Sequence, residues 1–317
     1  MSQKEENLCS PDIAEVGENL FNPQSLAIST AVHYPKWYPN EINYDDNDEK
    51  RLSDKVRGDL ALEMIQKAKN KGYQVIVVDS ESSSVFTQRL KELEIKRLFG
   101  EKRGMSTQRQ LGFKEASTIA TVKYLCWMEP EKISLIDYLP DLVRPILDGK
   151  ADVVVPKRRE KEFRETYPNY QVNFEKQSNQ LWNNMLRKFD ILPKDAENLD
   201  VFFGPKIFRN TPKVREVFLA EYVYQENPEL TPLSNKAYRP DQYSNAIMFP
   251  IIVALFQKLR VVGIEIPYKH PEQQTKIESN SDIYRKRRAD QQREIIRTSA
   301  DFCRMLIKTN SHTIPIN

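Results

Sequence analysis

The strongest constraint on this chain is a series of short, predominantly apolar runs set between polar turns and helical stretches. Residues 74–79 (QVIVVD) close on Asp79, residues 121–128 (TVKYLCWM) close on Glu129-Pro130-Glu131, and residues 151–155 (ADVVV) form a third run. Runs of this kind, without polar alternation, read as strands buried on both faces of a parallel sheet. Between them the periodicity is helical. Residues 52–71 carry a stripe of Leu60, Leu62, Met64 and Ile65 and stop at Gly72. Residues 83–93, 106–116 (after Gly104) and 135–147 (ended by Gly149) continue the pattern. With residues 25–32 (SLAISTAV) as the opening strand, the alternation predicts βα units and a mostly parallel sheet. Ligands of such sheets sit at the carboxyl ends of strands, where Asp79 and Glu129 fall.

The second half is less regular. Residues 174–186 read as a helix, and residues 199–208 (LDVFFGPKIF) as a short apolar segment broken at Gly204-Pro205. Residues 243–259 read as an apolar helix, 259–268 as a strand leading to His270-Pro271, and 278–308 as a long basic amphipathic helix. No internal repeat or low-complexity linker divides the chain. The expected organisation is a flexible N-terminus over 1–24, one α/β domain over 25–277, and a C-terminal helix and tail over 278–317. The domain divides into a regular first half, about 25–156, and a less regular second half, about 157–277.

Charge narrows the function classes. Forty-eight basic and 45 acidic residues leave a formal charge of +3, which gives no general argument for nucleic acid or anionic lipid. The three cysteines, Cys9, Cys126 and Cys303, have no metal-ligand or disulfide spacing and favour a reducing compartment. No stretch has the length and apolarity of a membrane span, and the N-terminus lacks the apolar core of a signal peptide. A cytoplasmic protein is expected.

Several residue sets could carry chemistry, each with a plainer alternative. In Glu129-Pro130-Glu131, two carboxylates one residue apart can face a single divalent ion that bridges nucleotide phosphates. The same residues suit an acidic helix start. Asp79 can accept hydrogen bonds from a nucleobase or cap the next helix. Lys102-Arg103-Gly104 with Arg109 suits a diphosphate or a solvated basic loop. His270, in a polar run after a strand, can ligate a metal or serve structure. Asp200 and Asp241 are candidate bases for an acceptor hydroxyl; Asp241 equally suits a helix cap. The basic run Arg285-Lys286-Arg287-Arg288 reads as a solvated helix face or a contact for an anionic surface.

The order of these features resembles the nucleotide-binding half of GT-A glycosyltransferases, most closely family 2 and the mannosylglycerate synthases. The matching features are the opening strand with Thr30-Ala31, strand–Asp79, Lys102-Arg103-Gly104 before a helix, and strand–Glu129-Pro130-Glu131. The resemblance implies a GT-A fold with a C-terminal helical elaboration, and transfer of a sugar from a UDP- or GDP-sugar to an unidentified hydroxyl acceptor, assisted by Mn²⁺ or Mg²⁺. It implies that Thr30 and Ala31 line the nucleotide pocket and that Asp79 meets the base. Arg103 and Arg109 would lie near the diphosphate, and Glu129 near the donor ribose or sugar. Glu131 and His270 would hold the metal, and Asp200 or Asp241 would be the acceptor-side carboxylate. The family's D-x-D is here Glu-x-Glu, one methylene longer on each arm. That departure supports an alternative, a non-catalytic nucleotide- or sugar-binding protein. A sugar-phosphate nucleotidyltransferase is disfavoured because no glycine-rich loop follows the first strand.

Overall fold

The computed structural model describes residues 21–100, 104–222, 247–279 and 281–309. Within them the chain runs β1 (Leu26–Val32), α1 (Glu49–Asn70), β2 (Gln74–Asp79), α2 (Ser84–Glu92), β3 (Lys96–Phe99), α3 (Met105–Ser117) and β4 (Tyr124–Trp127). It continues through α4 (Leu139–Leu147), β5 (Val153–Arg158), α5 (Glu160–Thr166), α6 (Asn169–Lys188), β6 (Lys206–Arg209) and α7 (Pro212–Leu219). The last elements are α8 (Phe249–Phe256), β7 (Val261–Ile266), α9 (Glu272–Ser279) and α10 (Asp282–Thr309).

The apolar runs form strands because every residue of 75–79 and 124–127 is buried. The sheet order is β3-β2-β1-β4-β6-β5-β7. β1 pairs in parallel with β2 and β4, β2 with β3, and β5 with β7, while β6 runs antiparallel to both its neighbours. β1 is followed in space by β2 on one side and β4 on the other. The direction of winding therefore reverses between β1 and β4, and a crevice opens above their carboxyl ends.

Helices cover both faces. One core joins α1, α2 and α4 to the sheet through Met64, Phe86, Leu142 and Ile28. The other joins α3, α6, α7, α8 and α10 through Phe113, Trp182, Val214, Phe249 and Phe302. Successive β1 residues divide between them, Ala27 to one core and Ile28 to the other, as the two-residue period of a strand requires. Helix α3 lies close on β1: a Cβ built on Gly112 would stand 2.1 Å from Ser29 Oγ. Glycine there sets the approach of α3, and so the position of its first turn over the crevice. Among the described residues no helix is long and apolar enough to cross a membrane.

The mostly parallel α/β sheet and the C-terminal helix agree with expectation. The sequence reading lacked β3, α5, α7 and α9, and it took β6 for part of a broken apolar segment. The expected helix over 243–259 is seen as α8, with residues 243–246 outside the described residues.

Candidate nucleotide-sugar site

A cavity of about 350 Å³ occupies the crevice. Its floor is built by strand ends: Ala31 and Val32 of β1, Trp127 of β4, and Arg158 of β5. The first turn of α3 adds Gln108 and Arg109, the turn after β4 adds Glu129 to Lys132, and helices α1 and α10 add Arg57, Arg287 and Arg288 from the rim. The cationic side chains on its wall (Lys50, Arg57, Arg109, Lys132, Arg158, Arg287, Arg288) outnumber the acidic ones (Glu129, Glu131, Glu175, Glu278). A polyanion suits this balance better than a neutral ligand.

The acid pair sits where the strand ends. Glu131 is 3% exposed. Its Oε1 accepts from Arg57 at 3.0 Å and from the Gln274 amide at 3.5 Å. Burial opposes its charge, but Arg57 and Lys132 outweigh burial and hold its carboxyl below the ordinary range. The Glu129 carboxylate lies against Gly204, where a Cβ would stand 2.2 Å from its Oε1. Gly204 has φ +102°, a left-handed conformation that favours glycine on its own account. Lys132 is buried among aromatic rings, with Nζ 5.3 Å from the Phe203 centroid and 5.5 Å from that of Tyr268. Arg109 is 1% exposed and stacks over Trp127 at 4.2 Å.

Other expected site residues lie elsewhere. Asp79 is fully buried and outside the cavity wall. Its carboxylate accepts from the Ser82 amide at 3.0 Å and pairs with Arg97 at 2.9 Å, so it braces the turn after β2. Asp200 makes a bidentate pair with Arg158, 2.8 Å to each oxygen, and accepts from Asn179 at 2.6 Å. Burial acts against the Asp200 charge, and Arg158 more than compensates, holding its pKa down. Asp200 thus fixes the Arg158 side chain that lines the cavity. Thr30 is buried beneath the floor, while the next residue, Ala31, reaches the cavity. Lys102, Arg103 and Asp241 lie outside the described residues.

His270 is 5% exposed, stacks on Tyr167 at 4.1 Å, and has Nε2 3.6 Å from Glu278 Oε2. Burial lowers its pKa, so the imidazole is neutral near pH 7. Gln274 joins the two ends of this cluster, donating to Glu278 at 2.9 Å and to Glu131. Among the described residues no three His, Cys, Asp or Glu side chains already converge as a metal-ligand set. Yet Glu131 Oε2 and His270 Nδ1 are buried without a hydrogen-bond partner, and His270 Nε2 has only the Glu278 carboxylate at 3.6 Å. Buried donor atoms of this kind fit a divalent cation, because leaving them unpaired is costly.

Sequence reasoning missed Arg57, Lys132, Arg158 and Glu278. Arg158 ends β5 but lies three residues beyond the apolar run 151–155, so the run itself did not point to it. Lys132 directly follows the acid pair. Arg57 and Glu278 carried no signal, since a charged residue on a helix is ordinarily solvated.

A doubly wound sheet with an acid pair and a cation-rich cavity at its switch point defines the GT-A class of sugar-nucleotide folds. Residues 57–218, about half of the chain, match the family model "Glycosyl transferase family 2", and the chain belongs to that family. No curated protein matches it. Among solved structures it is similar to glucosyl-3-phosphoglycerate synthase from Mycobacterium tuberculosis. The complex of that enzyme with phosphoglyceric acid is 10% identical, with 88% of this chain and 80% of that chain covered and a TM-score of 0.50. The complex with Mn²⁺, uridine-diphosphate-glucose and phosphoglyceric acid gives the same identity, coverage and TM-score. At this identity the likeness concerns the fold.

Proposed function

We propose that this chain transfers a sugar from a nucleoside-diphosphate donor to the hydroxyl of an anionic acceptor. The observation that carries the reading is the position of Glu129 and Glu131 at the β1/β4 switch point of a family 2 chain, in a cavity rich in cations. The similar synthase binds uridine-diphosphate-glucose and phosphoglyceric acid, and UDP is accordingly the first nucleotide to test.

In this reading the nucleotide lies over Ala31 and Val32. Arg109 and Lys132 balance the charge of the diphosphate, which grows as the glycosidic bond breaks. Glu129 orients the donor ribose or sugar. Glu131, with His270 as the candidate second ligand, would hold a divalent cation, which would supply further positive charge to the leaving diphosphate. The α10 arginines, Arg287 and Arg288, face an anionic acceptor, while Arg158 is committed to Asp200 and Glu175 and shapes the wall beneath them. Asp241 is kept as the candidate acceptor base, with Asp200 assigned to positioning.

Incubation with UDP- and GDP-sugars, with detection of free nucleoside diphosphate, tests catalysis. Release with any donor supports transfer or slow hydrolysis, and no release with any of them removes the enzymatic reading. The second reading is a non-catalytic binder. The Arg57–Glu131 ion pair favours it, since that pair already partly neutralises the acid expected to hold the metal. It predicts nucleotide binding without release.

A further inference from the structure

Lys206 opens β6 opposite Trp127, two residues before Glu129 on the paired strand, and is 1% exposed. Burying an ammonium is costly unless its donors are satisfied. All three are: Nζ donates to the carbonyls of Val201 at 3.2 Å, Gly204 at 2.9 Å and Pro205 at 3.1 Å. One side chain therefore gathers the whole turn 201–205. That turn carries Phe202 and Phe203 into the cavity wall and presents the bare Cα of Gly204 to the Glu129 carboxylate. Its other end is anchored by the Asp200–Arg158 pair.

We propose that Lys206 is a positioning residue of the nucleotide-sugar site: with Gly204 it forms the seat of Glu129, clasping the turn 201–205 against that carboxylate. The functional role rests on the reading of the cavity given above; the seat itself does not. Burial draws the Lys206 pKa down to about 7, against the pull of Glu129 and Asp200. The polar head is therefore buried at a cost that the three carbonyl acceptors offset, and a side chain needed only to fill space would not bear it. An apolar residue of the same length would fill the space without it.

Lys206→Met keeps the length and removes the donors and the charge. In a crystal structure of this variant the Glu129 carboxylate is expected to leave Gly204, and the turn to shift by more than about 1 Å, enough to break hydrogen bonds. An unmoved turn and carboxylate would overturn the proposal, whatever the protein's activity. In donor cleavage, Lys206→Met is expected to lose roughly tenfold in kcat. Combined with Glu129→Gln, it should fall no more than about twofold below the worse single variant, because the two act through one group. Multiplicative losses would overturn the link to Glu129. Should Lys206→Met not fold, Gly204→Ala approaches the same seat from the other side: its Cβ displaces the carboxylate while Lys206 is kept. Wild-type turnover and an unmoved Glu129 in that variant would refute the seat. A wild-type protein that neither binds nor cleaves a nucleotide sugar refutes the function instead, and leaves the crystallographic comparison to decide the seat.

Discussion

Glu131 joins two kinds of chemistry in one side chain: Oε1 is committed to Arg57 and Gln274, and Oε2 is buried without a hydrogen-bond partner. Replacing Glu131 by Ala is expected to abolish metal-dependent nucleotide binding while the thermal unfolding profile keeps a single cooperative transition. Unchanged affinity would make the residue structural. Glu278, on the same cavity wall, also bears on stability. Burial opposes its charge, but His270, Arg288 and Gln274 hold its pKa down to about 2, against an ordinary 4.5. A depressed carboxyl contributes stability above its unfolded pKa and loses it as pH falls toward the folded one, here about 3 kcal/mol between pH 4.5 and pH 2. Glu278→Gln should therefore be less stable than wild type at pH 7 in urea unfolding, with the gap narrowing below pH 4.5 and closing near pH 2. A gap independent of pH would contradict the assignment. At this scale the sequence was partly legible. Ala31, Glu129 and Glu131 line the cavity because they stand at or just past strand ends of a parallel sheet, and Arg109 reaches it from α3. Asp79 also ends a strand but is committed to Arg97, and Asp200, ahead of the turn 201–205, is committed to Arg158. Such pairing depends on residues distant in sequence and has no local signature.

Among the elements, the buried strands were legible and the marginal ones were not. β2 and β4 are continuous apolar runs that only a sheet interior accepts. β3 is an edge strand with Lys96 and Arg97 in a four-residue span, and its exposure removes the apolar signal. β6 was obscured by Gly204-Pro205, which in the structure end the turn just before the strand rather than break it. The approach of α3 to β1 is testable at this scale. Gly112→Ala would place a Cβ 2.1 Å from Ser29 Oγ. Overpacking of this kind costs about 1–3 kcal/mol. Chemical denaturation should show that loss, and nucleotide affinity should fall with it as Arg109 shifts. A neutral substitution would mean that the helix has room to move.

Across the whole molecule, a formal charge of +3 conceals a strongly uneven distribution, with seven cationic side chains on the wall of one cavity. Composition reports the sum and not the field. Long helices contribute to it from both ends of the chain, Arg57 from α1 and Arg287 and Arg288 from α10. Reversing the last two, Arg287→Glu with Arg288→Glu, is expected to weaken binding of phosphoglyceric acid roughly tenfold at low ionic strength, with the difference shrinking near 0.5 M salt. An equal effect at both salt concentrations would indicate local damage rather than a lost field. The central claim is that this cavity holds a nucleoside diphosphate. Calorimetric titration with UDP, with and without Mn²⁺, tests it most directly. Saturable 1:1 binding is expected, strengthened by Mn²⁺ and removed by Glu131→Ala; no binding of UDP, or of GDP in its place, would show that the cavity holds no nucleoside diphosphate.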